Sequence, residues 1–470
     1  MVEKLKLFFQ RVMNAVYRNR DIPGLAEEVK VSDRMVEAIT AWTRVFYREP
    51  PWAGFGLTPT NFAASLTGYM ATLATNEITV DAGTGARAGY INDQLQRFLL
   101  PGLRNAVQLA GVSGQVIVKP FVSGGNILVD TVGADRFYPT RINAAGTVEA
   151  GFFTDYAQLH GRLVVRVERF DLQPQGVYIQ NRAYYETAGA LSAPLSLADV
   201  PEWSELAPDA LIQGVDRPLF AVLKMPFANT VDPTSRMPVG FYANSMGTLE
   251  ELDRIYSEFL YEVHSGKRKR IVDRDAIRPE QKKPGGIGFK DLASDVYITL
   301  DMDKAAERKP FDDYSPELRV EGYQKAIDMQ LRLLESQTGI SPGTFTFDVK
   351  TGRMTATQVV SDDRDTYNTI KAIQDTGLKA GLADLVYIYD VYASLYSLAP
   401  GGRVEASVGF GDSIFEDTGV EYARRKQLAD SGYLRPELLV GWYFNISPEK
   451  ALEEYMPPAA PPMFPDGLEG

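Results

Sequence analysis

An α+β fold is what this sequence predicts, on three observations. The first is a pair of helical patterns between Ser315 and Leu398, joined by a short polar loop. The second is a run of strand patterns over residues 115–187. The third is their separation: most strand patterns cluster in that stretch, with helical patterns before and after, as in α+β rather than alternating α/β chains. The first helical pattern opens at Ser315-Pro316-Glu317, with serine suited to the N-cap, proline to the first helical position and an early glutamate to the helix dipole. Tyr323, Ile327, Leu331 and Leu334 then recur on one face, and Gly339 supplies the stop. Ser341 to Phe347 is not helical, and Asp348-Val349-Lys350-Thr351-Gly352-Arg353 reads as an exposed turn. The second pattern, Ala356 to Leu398, runs for more than 40 residues without proline. A helix of that length is expected to be kinked or to act as the spine of a large assembly.

The chain's 470 residues allow two to four domains. With 45% hydrophobic and 23% charged residues, it has an ordinary soluble composition. Cysteine is absent, which excludes disulfides and thiolate metal sites. The only histidines are His160 and His264, too few for a three-histidine metal site, and both are expected to be structural or surface residues. The basic, amphipathic start, Met1 to Phe9, lacks the apolar core of a secretory signal. Leu382 to Leu398 is interrupted by Asp384 and Asp390 and is short for a bilayer span, so no membrane partner is expected. A net charge of −12 argues against a protein that grips nucleic acid over a broad surface.

Taken in order, residues 1–76 read as helical: Glu3 to Tyr17, a start capped at Ser32-Asp33 for Met35 to Tyr47, a break at Pro50-Pro51, and Thr60 to Ala74. Asn76 to Asp81 is a short strand, followed by a glycine-containing loop over 82–89 and a helix with Ile91, Leu95, Phe98 and Leu99 on one face. Strand, glycine loop and helix is the context of a dinucleotide fingerprint. The spacing here, G-x-G-x-x-x-G, is one residue too long and there is no P-loop lysine, so a flexible turn is the favoured reading. The Pro284 to Gly288 cluster likewise reads as a loop.

Ser123-Gly124-Gly125, between Val116–Phe121 and Asn126–Asp130, signals a hairpin, and four further strand patterns extend to Tyr185 as one antiparallel sheet. Residues 188–216 look like a surface connection, Phe220 to Met225 is a strand, and Pro226 to Tyr242 is a loop. A helix then begins near Asn244-Ser245, with Leu249, Leu252, Tyr256, Phe259 and Val263 on one face, and stops at Ser265-Gly266.

Beyond it, Lys267 to Lys283 holds eight basic and three acidic residues, including Lys267, Arg268, Lys269, Arg270, Lys282 and Lys283. Such a run is either a solvated face or a contact for nucleic acid or an acidic partner. Val296 to Leu300 is a strand, with Ile271-Val272 as its candidate partner. Arg403 to Val408 alternates as a half-buried strand, and short helices follow at Val420–Ala429, Pro436–Trp442 and from Ser447. A proline-rich tail begins at Met456.

No catalytic constellation emerges, and no metal or cofactor is expected. Several phrases instead resemble the portal proteins of tailed bacteriophages: Gly240 to Ser245 leading into Leu249 to Asp253, Gly266 to Ile271, Thr338 to Asp348, Thr355 to Ser361, and Phe410 to Phe415. The resemblance covers most of residues 230–455 in order and is looser in the N-terminal half. It implies a portal fold with an α/β wing, a two-helix stem, a small strand-containing clip, a long kinked spine helix and a helical C-terminal crown. The implied divisions are a wing over 1–243, stem helices over 244–266 and 303–339, the clip over 267–302, a channel loop over 340–354, spine helix and wing strand over 355–417, and crown and flexible tail over 418–470. The family's function would make the chain a non-enzymatic subunit of a homo-oligomeric ring, with about twelve copies expected. Duplex DNA would be packaged and ejected through that ring without sequence specificity.

The implied partners are the terminase large subunit, a head-to-tail adaptor, and the major capsid and scaffold proteins. The implied location is the capsid portal vertex of the virion, after assembly in the host cytoplasm. Lys350, Thr351, Gly352 and Arg353 would lie in the channel loop, and the Lys267–Arg270 run with Lys282 and Lys283 at the clip would meet DNA, motor or adaptor. An acidic protein suits a conduit, because a strongly basic channel would bind DNA tightly. Two other readings stay open: a head or connector component, such as a minor capsid protein, that encloses no DNA channel, and a nucleotide-using enzyme built on residues 77–110.

Overall fold

The computed structural model describes residues 29–54, 56–187, 190–266, 269–273, 297–300, 311–314, 316–346, 364–411, 418–444, 451–452 and 455. The class is α+β. One unit takes Met1–Lys350 and Asn368–Phe410, and a second takes Thr351–Tyr367 and Gly411–Gly470.

In the first unit, α1 (Asp33–Phe46) starts where Ser32 Oγ accepts a hydrogen bond from Met35 N, as the capped start predicts. It buries Met35, Ile39, Trp42 and Val45, one stripe at helical spacing. α2 (Phe62–Ala74) leads into β1 (Ile78–Asp81), then α3 (Ala86–Leu99) and α4 (Leu103–Ser113). The glycine loop before α3 is held by side chains of the two elements that flank it. Ala82 N donates to Asn92 Oδ1, and Gly83 N and Asn92 Nδ2 both donate to Asp81 Oδ1. β1 also pairs antiparallel, with residues 407–410, so the parallel βαβ unit of a dinucleotide fold is missing here.

β2 (Gln115–Ser123) and β3 (Asn126–Gly133) form the expected hairpin, with Ser123 opposite Asn126 across Gly124-Gly125. β4 (Phe137–Ile142), β5 (Val148–Leu159), β6 (Arg162–Gln173), β7 (Gly176–Thr187) and β8 (Ala190–Leu195) form a separate antiparallel sheet, with β9 (Asp209–Gln213) also paired to β7. The single sheet expected from sequence is therefore two. β10 (Ala221–Lys224) joins β2 and β3 in the first, giving the order β10-β2-β3.

The expected surface connection over 188–216 is corrected as well. It supplies two strands and two short 3-10 turns whose Leu197, Val200 and Trp203 are buried. Those apolar residues stand singly, three apart, too sparse to register as a periodic element.

The larger sheet buries both faces, since consecutive residues point to opposite sides and runs such as Ala150, Phe152 and Phe153 are all buried. On one, Phe137, Phe153 and Phe170 pack with Phe220, ring centroids 4.8–5.8 Å apart, in edge-on and tilted pairs. Farther along that face Ala157, Leu159, Val164 and Ala183 pack under Leu197, Val200 and Trp203. The other face carries Tyr138, Phe152, Val167 and Tyr184.

α5 (Met246–Ser265) follows the 226–242 loop. β11 (Lys269–Asp273), β12 (Tyr297–Leu300) and β13 (Phe311–Tyr314) then form a small sheet in the order β12-β11-β13. The expected pairing of Ile271-Val272 with the 296–300 strand holds: Ile271 lies opposite Ile298 in a parallel ladder. β13 falls inside the range 303–339 that was expected to be helical. α6 (Val320–Thr338) begins later than Ser315-Pro316 predicts: residues 316–319 take no regular structure and Arg319 takes the cap position. Gly339 ends α6 at φ 68°, the left-handed stop that glycine permits.

The long helical pattern is described from Arg364 onward. α7 (Arg364–Ala372) passes through a π-helical turn at Ile373–Leu378 into α8 (Lys379–Leu395). That π-helical turn interrupts the regular helix, and the helix stops at Leu395, short of Leu398. The segment lies along the open edge of β10. A Cβ on Gly377 would fall 2.3 Å from the Lys224 carbonyl oxygen, and one on Gly381 2.4 Å from that of Val222, so only glycine allows this approach. α8 is tied to α3 by Arg87, whose buried guanidinium donates to the Asp390 carboxylate, the Asp390 carbonyl (2.6 Å) and Ser394 Oγ. β14 (Ser407–Phe410) completes the pairing with β1.

The second unit holds α9 (Thr418–Asp430) and α10 (Pro436–Phe444). Tyr422 meets Tyr443 at 5.3 Å, and Arg425 stacks over Trp442 at 4.6 Å. The helices expected from Glu3 to Tyr17 and at Ser447 to Glu449 lie outside the described residues, as does the proline-rich tail.

Candidate functional site

Two antiparallel helices, α5 and α6, make the feature most suited to a function beyond packing. Their direction is fixed at both ends. At the base, Thr248 Oγ1 donates to Gln337 Oε1 (2.9 Å); at the far end, Glu262 meets Arg319, and Phe259 packs on Tyr323 at 5.6 Å.

The base is anchored by Asp253, a buried carboxylate that accepts hydrogen bonds from Trp52 Nε1 (2.9 Å), Thr60 N (2.7 Å) and Thr60 Oγ1 (2.7 Å). Buried side chains are confined to this end: Thr248, Leu249, Leu252 and Asp253 on α5, and Asp328, Leu331, Leu334, Glu335 and Thr338 on α6. Beyond Asp253 on α5 and before Asp328 on α6 no side chain is buried. Apolar side chains are nonetheless exposed along the pair: Tyr261 is 75% exposed and Met329 70%, and Val320 and Leu333 are exposed too. These apolar side chains are left uncovered.

The outer end is clamped by charge. The Glu262 carboxylate accepts from Arg319 N (2.9 Å), Nε (3.0 Å) and Nη2 (2.5 Å). These hydrogen bonds, led by the guanidinium, hold its pKa down to about 2. The sequence between the clamped ends carries the small sheet β12-β11-β13.

At the inner end α6 opens onto the loop that starts at Ser341, whose root is built on one residue. Glu335, fully buried, accepts from Gly343 N (2.8 Å) through Oε2 and from Phe345 N (2.6 Å) through Oε1. The Phe345 ring packs edge-on against Tyr69 at 5.5 Å. On the return side, Thr369 Oγ1 donates to the Gly339 carbonyl (2.8 Å), so the chain leaves and re-enters at one place.

Of the sequence-predicted site residues, Lys269 and Arg270 lie on β11, opposite Tyr314 and Asp313. Lys267, Arg268, Lys282, Lys283, Lys350, Thr351, Gly352 and Arg353 lie outside the described residues. His160 takes the tight turn between β5 and β6 with φ 51°, and His264 the last turn of α5. Among the described residues, no group of three or more acidic or histidine side chains could hold a metal ion, and no helix is long and apolar enough to cross a membrane.

Sequence reasoning missed Glu335, Asp253 and Glu262. Glu335 had a legible signal: it shares a face with Leu331, Leu334 and Thr338, an acid on the buried stripe just before the helix stop. Asp253 and Glu262 had none, because their partners are about 200 and 57 residues away. No family model matches the chain, and no curated protein matches it.

Proposed function

We propose that this chain is a subunit of a closed, non-enzymatic ring of the portal type, through which duplex DNA passes into and out of a capsid. In this reading α5 and α6 are the stem, the strand-bearing insertion between them the clip, the loop rooted at Glu335 the channel loop, the α7–α8 segment the spine and α9–α10 part of the crown. The observation that carries it is the antiparallel α5–α6 pair, locked at both ends yet leaving Tyr261, Val320, Met329 and Leu333 exposed. Those side chains suit a heterologous contact with the next copy, the kind of interface that closes into a ring when repeated. The −12 net charge suits a wall that DNA must pass without binding strongly. Terminase, adaptor, scaffold and major capsid protein are the partners this reading entails.

The test is DNA packaging by heads assembled with a chain lacking Asp348–Arg353. The ring should still form and packaging should fall. Undiminished packaging would remove the channel-loop assignment, and loss of the ring would make the segment an assembly element instead.

A further inference from the structure

The second unit carries a row of aromatic rings that its own helices leave open. Tyr422 on α9 meets Tyr443 on α10 at 5.3 Å, Tyr443 meets Phe444 at 5.1 Å, and Phe444 stacks on Tyr455 at 4.5 Å. All four rings are exposed, from 38% for Tyr422 to 60% for Tyr443. From Tyr422 onward the only buried residues among those described are Glu437, Gly441 and Ala451, so the row is not the edge of an aromatic core. A contiguous apolar surface of this kind is characteristic of a binding face.

The sequence supplies an occupant at the end of the row. Tyr455 is followed by Met456 and then by residues 457–465, nine positions of which five are proline. Pro458 with Pro461, and Pro462 with Pro465, give two P-x-x-P spacings, and no charged residue interrupts 456–465. Proline fixes φ near the polyproline II value, so a proline-dense segment loses little freedom on binding. Such segments dock on surfaces lined by aromatic side chains. The lengths also agree. Polyproline II rises about 3.1 Å per residue, so about five residues cover the three ring-to-ring steps and the others serve to turn back from Tyr455.

We infer that residues 457–465 dock in the same chain on the row formed by Tyr422, Tyr443, Phe444 and Tyr455. The inference is independent of the ring assignment. Tethering favours the chain's own segment over a separate ligand, because a short connection gives an effective concentration of about millimolar.

A synthetic peptide of residues 456–470 is the probe, titrated by calorimetry into two full-length forms. In one, Pro458, Pro461, Pro462 and Pro465 are replaced by alanine, which should free the row, and the peptide should bind with one site per chain. The unaltered chain, whose row is already covered, should bind it about tenfold more weakly or less. Adding Tyr443→Ser and Phe444→Ser to the alanine form should abolish binding. Both side chains are exposed, and circular dichroism checks that each variant is folded. Equal affinity for the two forms would mean a row open to a separate proline-rich partner and would overturn the inference. Absence of binding to the alanine form, or binding that survives loss of the two rings, would overturn it as well. Were the protection of the unaltered chain to vanish at lower chain concentration, the segment would come from a neighbouring copy and the same-chain assignment would fall.

Discussion

Glu335 and Glu262 are both carboxylates that accept backbone N–H groups, but burial gives them different consequences. Glu335 is sealed at the base of the helix pair, so Glu335→Ala strips the acceptors from Gly343 N and Phe345 N where water cannot easily replace them. A loss of about 2 kcal/mol of stability is expected, measured by urea unfolding, together with faster amide exchange over residues 341–346. Glu335→Gln should recover part of both, because the amide oxygen still accepts one bond. Unaltered exchange in Glu335→Ala would mean that the loop root is held by something else. Glu262 stands at the exposed end, and its effect is a matter of pH. Its carboxyl, ordinarily near 4.5, is held at about 2 by Arg319. A depressed pKa contributes stability that is complete above the unfolded value and fades as pH falls from about 4.5 toward 2. In Arg319→Met the Glu262 titration, followed by carboxyl NMR, should move back up toward 4.5, and stability over that acid range should become flatter. A titration still near 2 would dismiss Arg319 as the cause.

The segment from α7 to α8 shows why an element's neighbours decide what its residues mean. Replacing a helical glycine with alanine ordinarily stabilises by about 1 kcal/mol. At Gly377 and Gly381 the opposite is expected, since the new methyl would strike the Lys224 and Val222 carbonyls. Each alanine should cost about 1–3 kcal/mol, the usual penalty for forcing extra carbon into a filled space. Thermal unfolding checks it, and a stabilised Gly381→Ala would show that the helix can lift from β10 at no cost. The same segment marks the limit of what was legible. Its helicity was plain from composition and the absence of proline. The position of the π-turn was not readable; the segment packs against β10, more than 150 residues earlier in the chain. The 188–216 stretch failed for a related reason: Leu197, Val200 and Trp203 are buried by the far end of a sheet face, and nothing in their local spacing says so. The Ser315-Pro316-Glu317 start was a sound local signal that lost to β13 and to the Glu262–Arg319 clamp.

For the whole molecule, the helices, the hairpin and most strands could be read from periodicity and turn chemistry, whereas the division into two sheets and the anchoring carboxylates depend on long-range partners. The ring reading rests on the exposed apolar side chains of α5 and α6. Tyr261→Asp with Met329→Asp should leave the far-ultraviolet circular dichroism unchanged, because neither residue is buried within the chain, and should abolish assembly read as mass by light scattering. Persistence of the assembled mass would move the interface elsewhere. The most direct measurement is electron microscopy of the purified chain, alone and with scaffold protein. Rings of about twelve copies around a hole wide enough for duplex DNA are expected. A chain that remains monomeric with scaffold protein present, or that assembles without a central channel, would contradict the ring reading.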